Sequence, residues 1–195
     1  MSTITGIPMK DLKGYLRPEE VKKVIEHGRL FRDRVIMRIL WATGCRLNEL
    51  LLLTVEDIAW KDKTLIMWTL KRRQPMQRRV QIDTKTIAQL QGYLKKNHIT
   101  KGKIFHLTDR RVEQIVYEAG RAAGIPKVGN KRIHPHHFRH SHSVAWIRHP
   151  KNRTMEGLRK LQVRLGHASI ASTGHYLQFA TEESAPAVEE TFGEW

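Results

Sequence analysis

Ala42-Thr43-Gly44-Cys45-Arg46-Leu47-Asn48-Glu49-Leu50 closes one helix and opens the next. Upstream, Phe31, Val35, Ile36, Ile39 and Leu40 recur at helical spacing, so a helix is predicted from Phe31 to Ala42, with Gly44 as its stop. Downstream, a Leu-rich helix is predicted from about Arg46 to Leu53. It places Arg46 and Glu49 one turn apart on the same side.

The same reading extends in both directions. A first helix is signalled by Pro18 at the N1 position, Glu19 and Glu20 in its first turn, apolar Val21, Val24 and Ile25, and Gly28 as a stop, although Arg17 is a poor cap. After residue 53 the texture becomes strand-like. Thr64 to Leu70 and Arg79 to Ile82 flank a polar connection with Gln74 and Pro75, which predicts a β-hairpin or small meander. Ile87, Leu90 and Leu94 mark another helix, Lys103 to Phe105 a short strand, and Val112, Ile115, Val116 and Ala119 a helix ending near Gly124. Helices are predicted at His136 to Arg148, Leu158 to Leu165 and Ser169 to Phe179, with Pro150 to Thr154 a polar loop. There is no internal repeat and no dividing linker. The expectation is one α+β domain, mostly helical, with a small antiparallel sheet beside the helical core.

With 40% hydrophobic residues, 13 Gly and 7 Pro in 195, the composition excludes collagen-like, low-complexity and wholly disordered classes. Lys and Arg number 35 against 19 Asp and Glu, a net charge of +16. Residues 181–195 hold five Glu and no Lys or Arg, so the preceding body carries a net +21. Such a field gathers phosphate polymers and suits an anionic membrane surface as well. The cations are spread along the chain rather than gathered on one amphipathic helix, which favours nucleic acid over membrane. One cysteine, Cys45, leaves no internal disulfide or paired-thiolate zinc site. No run approaches the roughly 20 apolar residues of a membrane span. A cytoplasmic, nucleoid-associated protein is expected.

Eight of the 11 histidines lie between His134 and His175. His136, Arg139 and His140 fall at i, i+3 and i+4 of one predicted helix and project from one face. Leu165-Gly166-His167 ends the next, and Tyr176 lies nine residues beyond His167. Histidines at i and i+4 ligate zinc well, but no Glu lies between His136 and His140 to complete a His-Glu-x-x-His motif, so no metal is expected.

Taken in order, Ala42 to Leu50, Pro135-His136-His137-Phe138-Arg139-His140, Leu165-Gly166-His167 and Tyr176 resemble the catalytic domain of tyrosine recombinases, the phage-integrase superfamily. The resemblance covers nearly the whole chain. It implies that Arg46 and Arg139 grip the scissile phosphate, where planar guanidinium forks meet the charge that develops on a phosphorane. It implies that His136 manages the tyrosine proton, that His167 donates to the phosphate, and that Tyr176 is the nucleophile. Lys71, on the hairpin, holds the place of the lysine that protonates the departing 5′-oxygen. Glu49 and His140 are supporting residues.

The implied chemistry is transesterification through a 3′-phosphotyrosine, with no cofactor. The implied partners are double-stranded DNA, a homotetramer assembled on it and accessory DNA-bending proteins. The chain divides into residues 1–17, an N-terminal arm or linker remnant; 18–180, the catalytic domain; and 181–195, an acidic tail that docks on a neighbouring protomer through Val188, Phe192 and Trp195. Most members carry a separate helical domain ahead of the first helix. The chain reads either as part of a longer protein or as similar to single-domain members such as the fimbrial inversion recombinases. His137 stands where an acidic or small polar residue is common. Two other functions fit the same residues: a non-catalytic DNA-binding relative, and a type IB topoisomerase-like enzyme, for which the chain is short.

Overall fold

A computed structural model describes residues 14–69 and 76–167, together with Ser169, Thr173 and Tyr176. Lys71, most of the helix expected at Ser169 to Phe179, and the acidic tail lie outside the described residues.

The elements run α1 (Pro18–Glu26), α2 (Phe31–Thr43), α3 (Leu47–Leu52), β1 (Ile58–Ala59), β2 (Thr64–Thr69), β3 (Met76–Gln81), α4 (Thr84–Lys96), α5 (Asp109–Ala122), β4 (Lys127–Val128), β5 (Lys131–Arg132), α6 (Pro135–Arg148) and α7 (Met155–Leu165). α2 is the hub. Val35, Ile36, Met37, Ile39 and Leu40 are buried on several of its faces, because α1, α4, α5 and α6 pack around it. A second, smaller cluster joins Val144 and Ile147 of α6 to Leu158, Leu161 and Leu165 of α7, with Tyr15 and Tyr176. Tyr15 and Leu16 precede α1 yet are buried, and the Leu16 amide donates to Ser141 Oγ on α6 at 2.7 Å.

The hairpin is a three-stranded antiparallel meander in the order β1-β2-β3. Its register sets Leu65 opposite Val80 and Met67 opposite Arg78. Leu65, Met67 and Thr69 face inward from β2, and Arg78 and Val80 from β3. The strand expected at Lys103 to Phe105 is an isolated bridge between Thr54 and Lys103, since Gly102 and Ile104 pair only with the short connection around Leu53 and Val55. α7 begins three residues earlier than the apolar periodicity suggests, because the Thr154 hydroxyl caps the Gly157 amide at 3.0 Å. The ribbon β4–β5 lacks the apolar alternation that marks a strand in sequence. No helix among the described residues is long and apolar enough to cross a membrane.

Gly44 and Gly166 end α2 and α7 in the left-handed conformation, at φ 63° and 66°. A Cβ at Gly44 would lie 2.6 Å from the His142 ring and 2.9 Å from Leu165 Cδ2. Gly44→Ala therefore destabilises by more than the roughly 1–2 kcal/mol of left-handed strain alone, read as a lowered urea midpoint.

Candidate active site

The left-handed turn at Gly44 sends the chain directly into α3, with Arg46 as the N-cap residue. The Arg46 amide donates to Glu49 Oε2 at 2.9 Å and its Nη1 to Glu49 Oε1 at 3.1 Å. The arginine side chain keeps 29% of its surface exposed, whereas that of Glu49 keeps 5%. Arg78 holds the same carboxylate from the opposite side. Its Nη2 donates to Glu49 Oε2 at 2.6 Å and its Nη1 to Glu49 Oε1 at 3.3 Å. Burial alone would raise the Glu49 pKa, but the hydrogen bonds and charge of Arg78, with those of Arg46, outweigh it and keep the carboxyl below its usual range.

Arg78 is absent from the sequence-derived site, because the predicted strand starts one residue later. Its signal was parity. It stands two residues before Val80 and four before Ile82, on the face that those buried residues share.

Arg139 is 2% exposed on α6. Its Nη1 donates to the Gly44 carbonyl at 2.7 Å and its Nη2 to the Leu165 carbonyl at 2.9 Å. One buried cation thus satisfies carbonyls at the C-terminal ends of both α2 and α7, where the helix dipoles favour positive charge. Burial, together with the neighbouring Arg46 charge, pushes its pKa down to about 10, which leaves it cationic at neutral pH.

The entry to α6 is capped by histidine rings. The His136 amide donates to His134 Nδ1 at 3.3 Å, and the His134 amide donates to His137 Nδ1 at 3.1 Å. His137 at N3 therefore does what an acidic residue does in a capping box, in neutral form. His136 lies on the outer side of α6. Partial desolvation and the charges of His140, Arg139, His134 and Arg46 hold its pKa down to about 4, so it is a neutral acceptor at physiological pH. Arg46, Asn48, Glu49, His134 and His136 line a cleft of about 300 Å³ with Cys45 and Glu113. Cys45 is buried, and that burial pushes its thiol up to about 11.

Tyr176 is 2% exposed. Its hydroxyl lies 3.3 Å from His140 Nδ1, and the His140 ring meets those of Tyr176 and His136 edge-on, at 5.6 and 4.9 Å between centroids. The His140 imidazole thus stands at the phenol, with the His136 ring against it. Burial raises the Tyr176 pKa, partly offset by a hydrogen bond with Ser143 and the Arg139 charge. His167 follows the left-handed turn at Gly166, and its Nδ1 lies 2.8 Å from the hydroxyl of buried Thr173. Among the described residues, no three His, Cys, Asp or Glu side chains are grouped as a metal site.

His142 adds a proton-sensitive strut. Arg164 Nε donates to its Nε2 at 3.0 Å, so the ring proton sits on Nδ1 and goes to the Trp41 carbonyl at 2.7 Å. Burial depresses His142 to about 3 and His137 to about 4. Unfolded imidazoles titrate near 6.5, so below that value the unfolded chain takes up protons that the fold refuses. Stability is full above about pH 6.5 and falls as pH drops towards about 4. His142→Gln keeps a donor and an acceptor but cannot titrate. The drop in urea midpoint between about pH 7 and 5 is expected to be smaller in this variant than in the parent, and equal drops would exclude His142 as a source.

Residues 14–183 match the model of the phage integrase family. Tyrosine recombinase XerA of Pyrococcus furiosus is 31% identical over 191 residues, covering 92% of this chain and 62% of the relative. A crystal structure of XerA recombinase superposes with a TM-score of 0.69 at 24% identity, over 100% of this chain and 66% of that one. XerH site-specific recombinase, in a post-cleavage complex with a palindromic difH substrate, gives 0.74 at 23% identity, over 97% and 59%. The chain thus spans a little under two thirds of the length of the curated relative. The family match runs across both helical clusters and the hairpin, and the chain belongs to the phage integrase family.

Proposed function

We propose that the chain carries the catalytic machinery of a site-specific DNA recombinase that breaks and rejoins duplex DNA through a covalent 3′-phosphotyrosine, without metal or nucleotide. The observation that supports this most is the shared cleft of a partly exposed, carboxylate-fixed Arg46 and His136 of α6, the helix that also carries Arg139 and a His140 touching the Tyr176 hydroxyl.

Arg46 and Arg139 bind the nonbridging oxygens of the scissile phosphate, and His167 donates to the same group. Tyr176 Oη attacks phosphorus, and its proton leaves towards His140 and the neighbouring His136, both on the face of α6. The bond from phosphorus to the 5′-oxygen breaks, and Lys71 protonates that oxygen. A 5′-hydroxyl from another duplex reverses these steps and releases Tyr176. Because the Tyr176 ring is buried, attack requires it to turn outward from its packing against α6 and α7. A groove lined by Arg110, Glu113, Gln114, Arg132, Ile133 and His134 continues from the cleft, and its two arginines suit the flanking phosphates. The tetramer, the accessory DNA-bending proteins, the docking role of residues 181–195 and the domain limits at 18–180 belong to the same proposal.

The test uses a pool of duplexes, each with one nick between randomised flanks, incubated with the protein in EDTA and then denatured. DNA linked to Tyr176 is expected, and sequencing the linked strands gives the site. Tyr176→Phe should abolish the adduct and leave binding nearly unchanged, whereas an adduct persisting in that variant removes Tyr176 as nucleophile. Binding without any adduct favours a non-catalytic DNA-binding relative. Lys71→Ala should cleave only where sulfur replaces the 5′-bridging oxygen, because that leaving group needs no proton.

A further inference from the structure

We infer that Arg78 is a positioning residue for Arg46, holding it through Glu49 and fixing the hairpin and the His167 turn to it. The inference rests on the roles of Arg46 and His167 proposed above. Arg78 lies on β3 with its side chain 4% exposed. Its guanidinium reaches three separate segments: Glu49 on α3, Thr69 on β2 at 2.6 Å from Nη1, and the Arg164 carbonyl at the end of α7 at 2.8 Å from Nε. Only a planar fork with several donors spans such a set, and a lysine ammonium does not.

The strand face alone does not call for a charge here, whereas the buried Glu49 carboxylate does. Met67 lies directly opposite, and Val80 follows on the same face. An apolar side chain at position 78 would continue that surface but strip the buried Glu49 carboxylate of this cation, and a lysine would restore the charge alone. What the arginine adds is direction. With both Glu49 oxygens engaged by Arg78, the carboxylate cannot swing, and the partly exposed Arg46 guanidinium has a fixed partner. The turn into His167 lies against the same fork, since a Cβ at Gly166 would meet Thr69 Oγ1 at 2.9 Å and Arg78 Nη1 at 3.2 Å. Arg78 and Arg139 grip consecutive carbonyls, those of Arg164 and Leu165.

The experiment compares Arg78→Lys, Arg78→Met, Glu49→Gln and the Arg78→Lys/Glu49→Gln double variant with the parent, each at a temperature where circular dichroism shows it folded. Arg78→Lys keeps the buried cation and serves if Arg78→Met does not fold. The first readout needs no DNA: the heteronuclear NOE of the Arg46 Nε–Hε signal in protein labelled with ¹⁵N-arginine, expected to fall in every variant. The second is single-turnover adduct formation on the duplexes recovered above. The maximal rate is expected to fall about tenfold or more, as small misplacement of a reacting group allows. DNA affinity should hold within about twofold because no phosphate contact is removed. The double variant should be no slower than Glu49→Gln, because the two residues act in series. An unchanged Arg46 signal overturns the inference, as does a parental rate in Arg78→Lys or a rate loss matched by lost affinity. If the parent forms no adduct on any duplex, the proposed function fails, and the Arg46 signal still decides whether Arg78 holds that side chain.

Discussion

The buried guanidinium of Arg139 ties together the carbonyls at the ends of α2 and α7, and the arrangement of the site follows from that bridge. Both helices stop on left-handed glycines, which turn their last carbonyls towards a common point. Without a cation between them, two negative helix ends would face each other out of water. With it, α6 is locked between the hub helix and the turn that presents His167. A lysine would supply the charge, but its donors share one nitrogen instead of standing on the two separate nitrogens that Arg139 uses. The core therefore converges on the group that the proposed chemistry places against phosphate, so fold and site share one constraint.

The second feature is how positive charge is made bearable. Arg46, Arg78, Arg139 and Arg164 crowd a region whose buried acid is Glu49. His136, His137 and His142 answer this with depressed pKa values that keep them neutral. His137 and His142 spend their unprotonated nitrogens on an amide and a guanidinium, and His136 is kept unprotonated by partial desolvation and then by the charges around it. The cluster reads as cationic from composition, yet His134, His137 and His142 each use a ring nitrogen as a hydrogen-bond acceptor.

Much of the fold was legible in the sequence because α1, α4, α5 and α7 have clear apolar periodicity, and glycine or proline punctuates α1, α2, α6 and α7. Phe31 to Ala42 and His136 to Arg148 lie within one or two residues of α2 and α6. The hairpin followed from alternation, and the Arg46–Glu49 pair from helical spacing. Arg78 and the capping role of His137 were not legible, since each depends on what lies across a tertiary interface or on a ring nitrogen's tautomer. β4–β5 and the single bridge at Lys103 are too short for any period to declare itself. The order of the site residues was legible only through family resemblance, because Arg46, Arg139 and Tyr176 are separated by folding distances that no local rule spans.

Cys45 sits directly before Arg46, buried at the wall of the cleft, and burial holds its thiol in the protonated form. A protonated, enclosed sulfur is a poor target for maleimides and disulfide exchange. As it is the chain's single cysteine, the protein arrives with a chemically silent background. A cysteine introduced on an exposed surface would be the one readily labelled position, so fluorophores or spin labels can be attached while the native thiol stays where the packing around Gly44 and Arg46 needs it.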